Sequence, residues 1–238
     1  MSHNITVEGG TSVRLPTAGK YCDRDIVITA TVGSSGGDEF SVEKYLEGSY
    51  AEVNLPNVTK IKGYLFHSDT VLTSIYMPNV TEIGDNAFYQ CRNLKSSLPD
   101  GLTKIGSYTF YQCQKLTLSQ LPSALTYLGN YAFYAGNLTL TSLPDGLTNI
   151  GNSCFGSNSR IALTSLPKAL TKIGTNAFSS CTGLTSITFK STPTSIATSA
   201  FSSCSNLKTI NVPWAEGAVA NAPWGATNAT INYNYTGG

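Results

Sequence analysis

The chain has 238 residues, of which 12% are charged, and a formal net charge of +1. Near-neutrality gives no field to steer nucleic acid or anionic lipid toward it, and no run of about 18 apolar residues is present to insert in a membrane. His3 and His67 are the only histidines, too few bases for a Ser-His-Asp or Cys-His set.

In chain order, Ile5-Thr6-Val7, Ser12-Val13-Arg14-Leu15 and Asp25 to Ala30 alternate or run apolar between turn residues, so residues 1–33 are expected to form a small N-terminal β segment. The opening residues lack a basic and an apolar signal region, so no signal peptide is expected. Ser34-Ser35-Gly36-Gly37 (34–37) reads as a flexible linker. Residues 38–54 follow, with helical spacing in Phe40, Val42, Tyr45 and Leu46 and a first strand near Tyr50 to Leu55; they are expected to cap what comes next.

From residue 55 to about 210 the sequence repeats. Leu98-Pro99 is followed by Leu102, Ile105-Gly106, Phe110 and Cys113. The same text returns from Leu121-Pro122, Leu143-Pro144 and Leu166-Pro167, begins earlier at Leu55 and Met77, and ends in a diverged copy near Ile187. These starts, 55, 77, 98, 121, 143, 166 and 187, lie 21 to 23 residues apart. A coil of about 22 residues cannot bury its own apolar positions, whereas stacked coils bury them against each other. The columns predicted are Leu102, Leu125, Leu147 and Leu170; Ile105, Leu128, Ile150 and Ile173; and Phe88, Phe110, Phe133, Phe155, Phe178 and Phe201. One short parallel strand per coil is expected before each Leu-Pro, as in Leu72 to Met77 and Leu184 to Phe189, because proline cannot donate to a ladder. The glycine after each Ile is expected to ease a tight turn, and the Asn-Ala-Phe-Tyr-Gln-Cys type segment reads as a helical turn.

Residues 211–238 depart from the repeat. They hold both tryptophans, Trp214 and Trp224, and an alternating Thr230 to Tyr235 strand, and are expected to cap the last coil.

The pattern Leu-Pro-x-x-Leu-Thr-x-Ile-Gly-x-x-Ala-Phe-x-x-Cys-x-x-Leu over residues 55–210 resembles the BspA-type leucine-rich repeats of bacteria. The resemblance implies an α/β, right-handed leucine-rich-repeat solenoid serving adhesion or protein binding. The stretch 11–30, and the strings Pro213-Trp214-x-Glu216-Gly217 and Ala222-Pro223-Trp224-Gly225, are similar to ends of prophage-encoded tail-associated proteins. That second resemblance implies a virion partner reached through residues 1–33 and a virion or extracellular location.

Candidate chemistry is sparse. Asp100 and Asp145 lie in equivalent Pro-Asp-Gly turns, where Asp is favoured for turn hydrogen bonds. The chain therefore reads as a non-catalytic binding module with no cofactor. Six cysteines include no Cys-x-x-Cys pair, so no metal site is expected; Cys91, Cys113, Cys181 and Cys204 share one repeat position and read as buried thiols. Tyrosine is more suggestive. Tyr89, Tyr111 and Tyr134 follow the column Phe in three consecutive coils, and Tyr108 and Tyr131 precede it by two. They are candidate contacts for a protein or glycan on a cell surface, since tyrosine offers a large ring with a polar tip; the alternative is a ladder that only stabilises stacking. A second candidate is the strand face around Ser74, Tyr76, Ser186 and Thr188.

Overall fold

The computed structural model describes residues 3–8, 12–13, 26–31, 39–42 and 52–237 other than 56, 57 and 62, with side chains from Glu52 onward except Asn54. The expected linker at 34–37 lies outside the described residues. The strands in chain order are β1 (His3–Glu8), β2 (Ser12–Val13), β3 (Ile26–Thr31), β4 (Glu39–Val42), β5 (Glu52–Asn54), β6 (Lys60–Ile61), β7 (Ser74–Tyr76), β8 (Glu82–Ile83) and β9 (Lys104–Ile105). They continue with β10 (Tyr127–Leu128), β11 (Asn149–Ile150), β12 (Ser165–Leu166), β13 (Lys172–Ile173), β14 (Ser186–Phe189), β15 (Ser195–Ile196), β16 (Thr209–Asn211) and β17 (Thr230–Asn232).

Every sheet is parallel and stacks coil on coil. One has nine strands in the order β15-β13-β11-β10-β9-β8-β6-β4-β2; the other two are β1-β3-β5-β7 and β12-β14-β16-β17. Pairing is in repeat register, for example Leu128 with Ile105 and Ile150. The strand before Leu-Pro therefore forms as expected in β7, β12 and β14, but not in the coils between them.

The nine-stranded sheet was not foreseen. Apart from β2 and β4, its strands are two-residue steps that end on an aliphatic residue, with Ile61, Ile83, Ile105, Leu128, Ile150, Ile173 and Ile196 buried. Two residues are too few to show a period of two, so only the pairing across coils reveals them. Glu39–Val42 is likewise strand rather than helix, pairing with both β6 and β2.

The described residues contain no helix, so the α part of the expected α/β class is absent. The segment from Gly to Cys, read as a helical turn, is instead a pair of turns whose N–H groups alternate between targets. Tyr108, Phe110 and Gln112 donate to Asn130, Ala132 and Tyr134 of the next coil at 2.7–2.8 Å, while Tyr111 and Cys113 donate locally to Tyr108 and Phe110. Bonds to the next coil require the third and seventh residues of this segment to flip to positive φ, as at Tyr108 (57°) and Gln112 (54°). Phe and Cys three residues apart fit a helix as well as these turns, and hydrogen bonding over more than 20 residues decides between them.

The glycine column has a different cause from the one expected. Gly106, Gly129 and Gly151 are not at positive φ; they lie against the backbone of the preceding coil, and a Cβ on Gly129 would sit 2.5 Å from the Gly106 carbonyl carbon. Gly129→Ala is therefore expected to cost about 1–3 kcal/mol in urea denaturation through overpacking. A change within about 0.5 kcal/mol, the range of a neutral surface substitution, would refute that close approach.

The core is a stack. Phe66, Phe88, Phe110, Phe133, Phe155, Phe178 and Phe201 are each no more than 1% exposed, with successive centroids 5.0–5.9 Å apart. Beside it runs a column of donors. The thiols of Cys91, Cys113, Cys181 and Cys204 reach the carbonyl oxygens of Phe66, Phe88, Phe155 and Phe178 in the preceding coil at 2.9–3.2 Å. Asn158 does the same toward Phe133 O at 2.7 Å. These four thiols and Cys154 are free and buried. Beyond the last phenylalanine, Trp214 and Trp224 pack on Phe189 at 5.2 and 5.9 Å, and both are buried.

Candidate functional site

The turn segments place tyrosine in two parallel columns. In the first, Tyr89, Tyr111 and Tyr134 stack with centroids 4.8 and 5.3 Å apart and planes within 9°. His67 extends this column: its ring lies 4.7 Å from Tyr89 and tilted by 3°. In the second, Tyr108 stacks on Tyr131 at 4.7 Å. The columns meet at an angle: Tyr108 and Tyr111 are 5.8 Å apart at 49°, Tyr131 and Tyr134 5.5 Å apart at 59°. Tyr64, 65% exposed, joins the end beside His67. All five tyrosines singled out in the sequence thus lie in one aromatic face, each half-buried.

The first column ends at Tyr134. Gly156 occupies the next position, and a Cβ there would sit 2.9 Å from two ring carbons of Tyr134. Tyr134 therefore lies close against Gly156, where the next side chain of the column would stand. Gly156 was missed from sequence, where it looked like a mere absence of tyrosine.

Backbone conformation adds a second feature. Tyr64, Tyr108 and Tyr131 have φ of 63°, 57° and 56°, a region that costs a non-glycine residue about 1–2 kcal/mol and is eased only for Asn and Asp. Equivalent positions in other coils hold Asn86, Ser153 and Asn176. Tyrosine is the costlier choice at these positions, and it occurs where the rings complete the face. Crowding also has an electrostatic effect. Burial first, then the neighbouring phenols of Tyr89, Tyr134, Tyr108 and Tyr131, push the Tyr111 hydroxyl above the ordinary tyrosine value. The Tyr111 hydroxyl therefore stays protonated at physiological pH.

The two pairs of strand-face candidates lie several coils apart along the stack and do not touch. Ser74 and Tyr76 lie on β7, Ser186 and Thr188 on β14, in different sheets. Tyr76 is 59% exposed. Thr188 accepts a hydrogen bond from Asn211, which in turn accepts one from Asn232, so it is part of an amide ladder that ties the last coils together. Asp100 and Asp145 sit exposed in turns of separate coils, closed by Leu102 N–H to Pro99 and Leu147 N–H to Pro144. Among the described residues, no group of three or more His, Cys, Asp or Glu could hold a metal ion.

Comparison with known proteins bears on the repeat. The family described as the BspA type leucine rich repeat region matches residues 40–162 and 157–216, in six copies. No curated protein matches the chain. Among solved structures, a leucine rich cell surface protein from Faecalibacterium prausnitzii A2-165 is similar at 25% identity and a TM-score of 0.52. The match covers 87% of this chain and 65% of that protein, so the chain spans about two thirds of its length. A leucine-rich repeat protein from Bacteroides ovatus matches at 19% identity and a TM-score of 0.43, over 76% of this chain and 68% of the other.

Proposed function

Because the chain belongs to the BspA-type leucine-rich-repeat family, a family of binding scaffolds rather than enzymes, we propose that it is a cell-surface binding module whose aromatic turn face docks a partner protein. The observation that carries this reading is the joining of Tyr64, His67, Tyr89, Tyr108, Tyr111, Tyr131 and Tyr134 into one face, three of them at strained backbone positions. The positive φ is shared by Asn86, Ser153 and Asn176 in the other coils, so what distinguishes Tyr64, Tyr108 and Tyr131 is the ring each adds to the face.

The geometry favours protein over glycan on this face. A sugar ring stacks on an open aromatic face, but here the rings cover each other's faces and leave edges outward. Ring edges with phenol tips suit a protein surface, where tyrosine gives contact area at low entropy cost. The coils already fix the ring spacing, so little ordering is needed on binding. The similarity to a cell surface protein supports the location. A virion-associated role is the second reading, supported by the tail-like strings at 213–217 and 222–225; most of the 11–30 string lies outside the described residues. Under it, residues 1–33 would attach the module to the particle.

The test uses two variants on cells of the natural host community, with folding checked by circular dichroism. Replacing Tyr89, Tyr111 and Tyr134 with Ser is expected to weaken binding at least tenfold, since one or two rings should dominate an interface. Replacing Tyr108 and Tyr131 with Asn, the residue of equivalent coils, is expected to leave stability within about 1 kcal/mol, because released strain offsets lost stacking, and still weaken binding. Wild-type binding by both folded variants would reduce the face to a structural ladder.

A further inference from the structure

Away from the aromatic face, four depressions follow one another along the stack as a trough. Their volumes are about 360, 660, 430 and 590 Å3. Each shares residues with the next: Ser97 and Asp100, then Gln120 and Ser123, then Ser165 and Lys190. From Tyr76 at one end to Tyr235 at the other the trough runs on the order of 30 Å, at ~4.8 Å per coil.

The trough crosses a break in the sheet. From Leu94 to Leu98 the chain has one residue fewer than in the equivalent stretches Leu72 to Met77 or Leu116 to Leu121. Ser96 consequently falls where an apolar residue stands elsewhere. Its hydroxyl donates to Ile75 O at 2.6 Å and accepts from Ile75 N–H at 3.3 Å. That occupies the outer edge of β7, and the four-stranded sheet stops there. Among the described residues, no backbone hydrogen bond joins Lys95–Leu98 to Thr117–Leu121, although the same two coils pair on the nine-stranded side through β9 and β10. The sheet resumes only at β12.

We propose that this trough binds a linear neutral oligosaccharide. Its walls are hydroxyls, amides and backbone groups not used by the ladder, with Ser97, Ser119, Gln120 and Ser142 exposed. Its formal charges cancel: Lys95 and Lys190 against Asp100 and Asp145. Leu118, Leu121 and Leu143 are each only 8% exposed, so the trough offers little apolar surface for the side-chain anchors that dominate protein interfaces. At the two ends Tyr76 and Tyr235 are 59% and 38% exposed. Unlike the tyrosines of the other face, Tyr76 stacks on no other ring among the described residues and can receive a sugar, whereas Gly237 lies against the ring of Tyr235, with its Cβ position 3.1 Å from Cζ.

Affinity electrophoresis of the full chain in gels containing glucomannan, xylan, dextran or galactan tests this. Wild type is expected to be retarded by at least one polymer. Ser119→Trp, at an exposed position, should fill the trough and abolish retardation, and Tyr76→Ala should reduce affinity about tenfold. The triple Tyr89, Tyr111 and Tyr134 variant should be retarded like wild type, which separates this site from the aromatic face. No retardation by any of the four polymers, or unchanged retardation of folded Ser119→Trp, overturns the proposal. So does binding of extended peptides that Ser119→Trp blocks in the absence of any polysaccharide response, an outcome that would assign the trough to polypeptide.

Discussion

Phe133→Ala is expected to lower stability by about 3–5 kcal/mol, the range for deleting a large aromatic side chain from a core. Phe133 is 1% exposed and lies between Phe110 at 5.3 Å and Phe155 at 5.9 Å. Neither neighbour can collapse into the space, because each is held by its own coil through backbone bonds such as Phe110 N–H to Ala132 and Phe155 N–H to Ala177. The cavity therefore stays open, and the cost falls toward the upper end. Stability in a repeat stack is close to a sum of coils and their interfaces, so loss at mid-stack weakens two interfaces together. Equilibrium urea denaturation measures this; a difference below about 1 kcal/mol would show that the ring is not in the core.

The second large effect is loss of stability at alkaline pH. Burial pushes every described thiol above its ordinary value of 9.0, to about 12 for Cys113 and about 11 for Cys204, and higher still for Cys91, Cys154 and Cys181. Carbonyl acceptors reinforce the protonated form, since a thiolate has no proton to donate to the preceding coil. The folded thiols thus stay protonated where unfolded ones ionise. Their contribution is complete below about pH 9 and is lost as pH rises from there toward the folded values. Between pH 9 and 10 that amounts to about 1 kcal/mol per thiol and about 5 kcal/mol for five. The comparison is with a variant carrying Ser at 91, 113, 181 and 204 and Ala at 154, the residue type of Ala132 and Ala177 in the same column. Its urea midpoint should fall much less over that interval; an equal fall would mean that the thiols are not the cause. In the same state, the five thiols should resist iodoacetamide until urea unfolds the chain, because the thiolate is the nucleophile.

The period of about 22 residues, read from Leu98-Pro99, Ile105-Gly106, Phe110 and Cys113, determined the stack and its Leu, Ile and Phe columns without any structure. A short coil cannot bury its own apolar side chains, and side chains recurring at one coil position have no partner but each other. The same logic placed the cysteines in one column and the five tyrosines on adjacent coils. Tertiary structure decided everything that depends on which backbone group bonds to which across coils. Phe110 and Cys113 have helical spacing, yet N–H groups committed to the next coil drive Tyr108 and Gln112 to positive φ. The two-residue strands such as Lys104–Ile105 exist only through their pairing. Gly129 is required by contact with Gly106 rather than by its own turn. The two tyrosine columns merge because successive coils hold the rings 4.7–5.3 Å apart, and one of them ends where Gly156 lies against Tyr134. The sheet stops beside β7 where one residue is missing before Leu98, and Ser96 there bonds to Ile75, 21 residues earlier. A sequence pattern reports what each coil repeats; hydrogen bonds between coils, made over 20 or more residues, fix the conformation in which it is repeated.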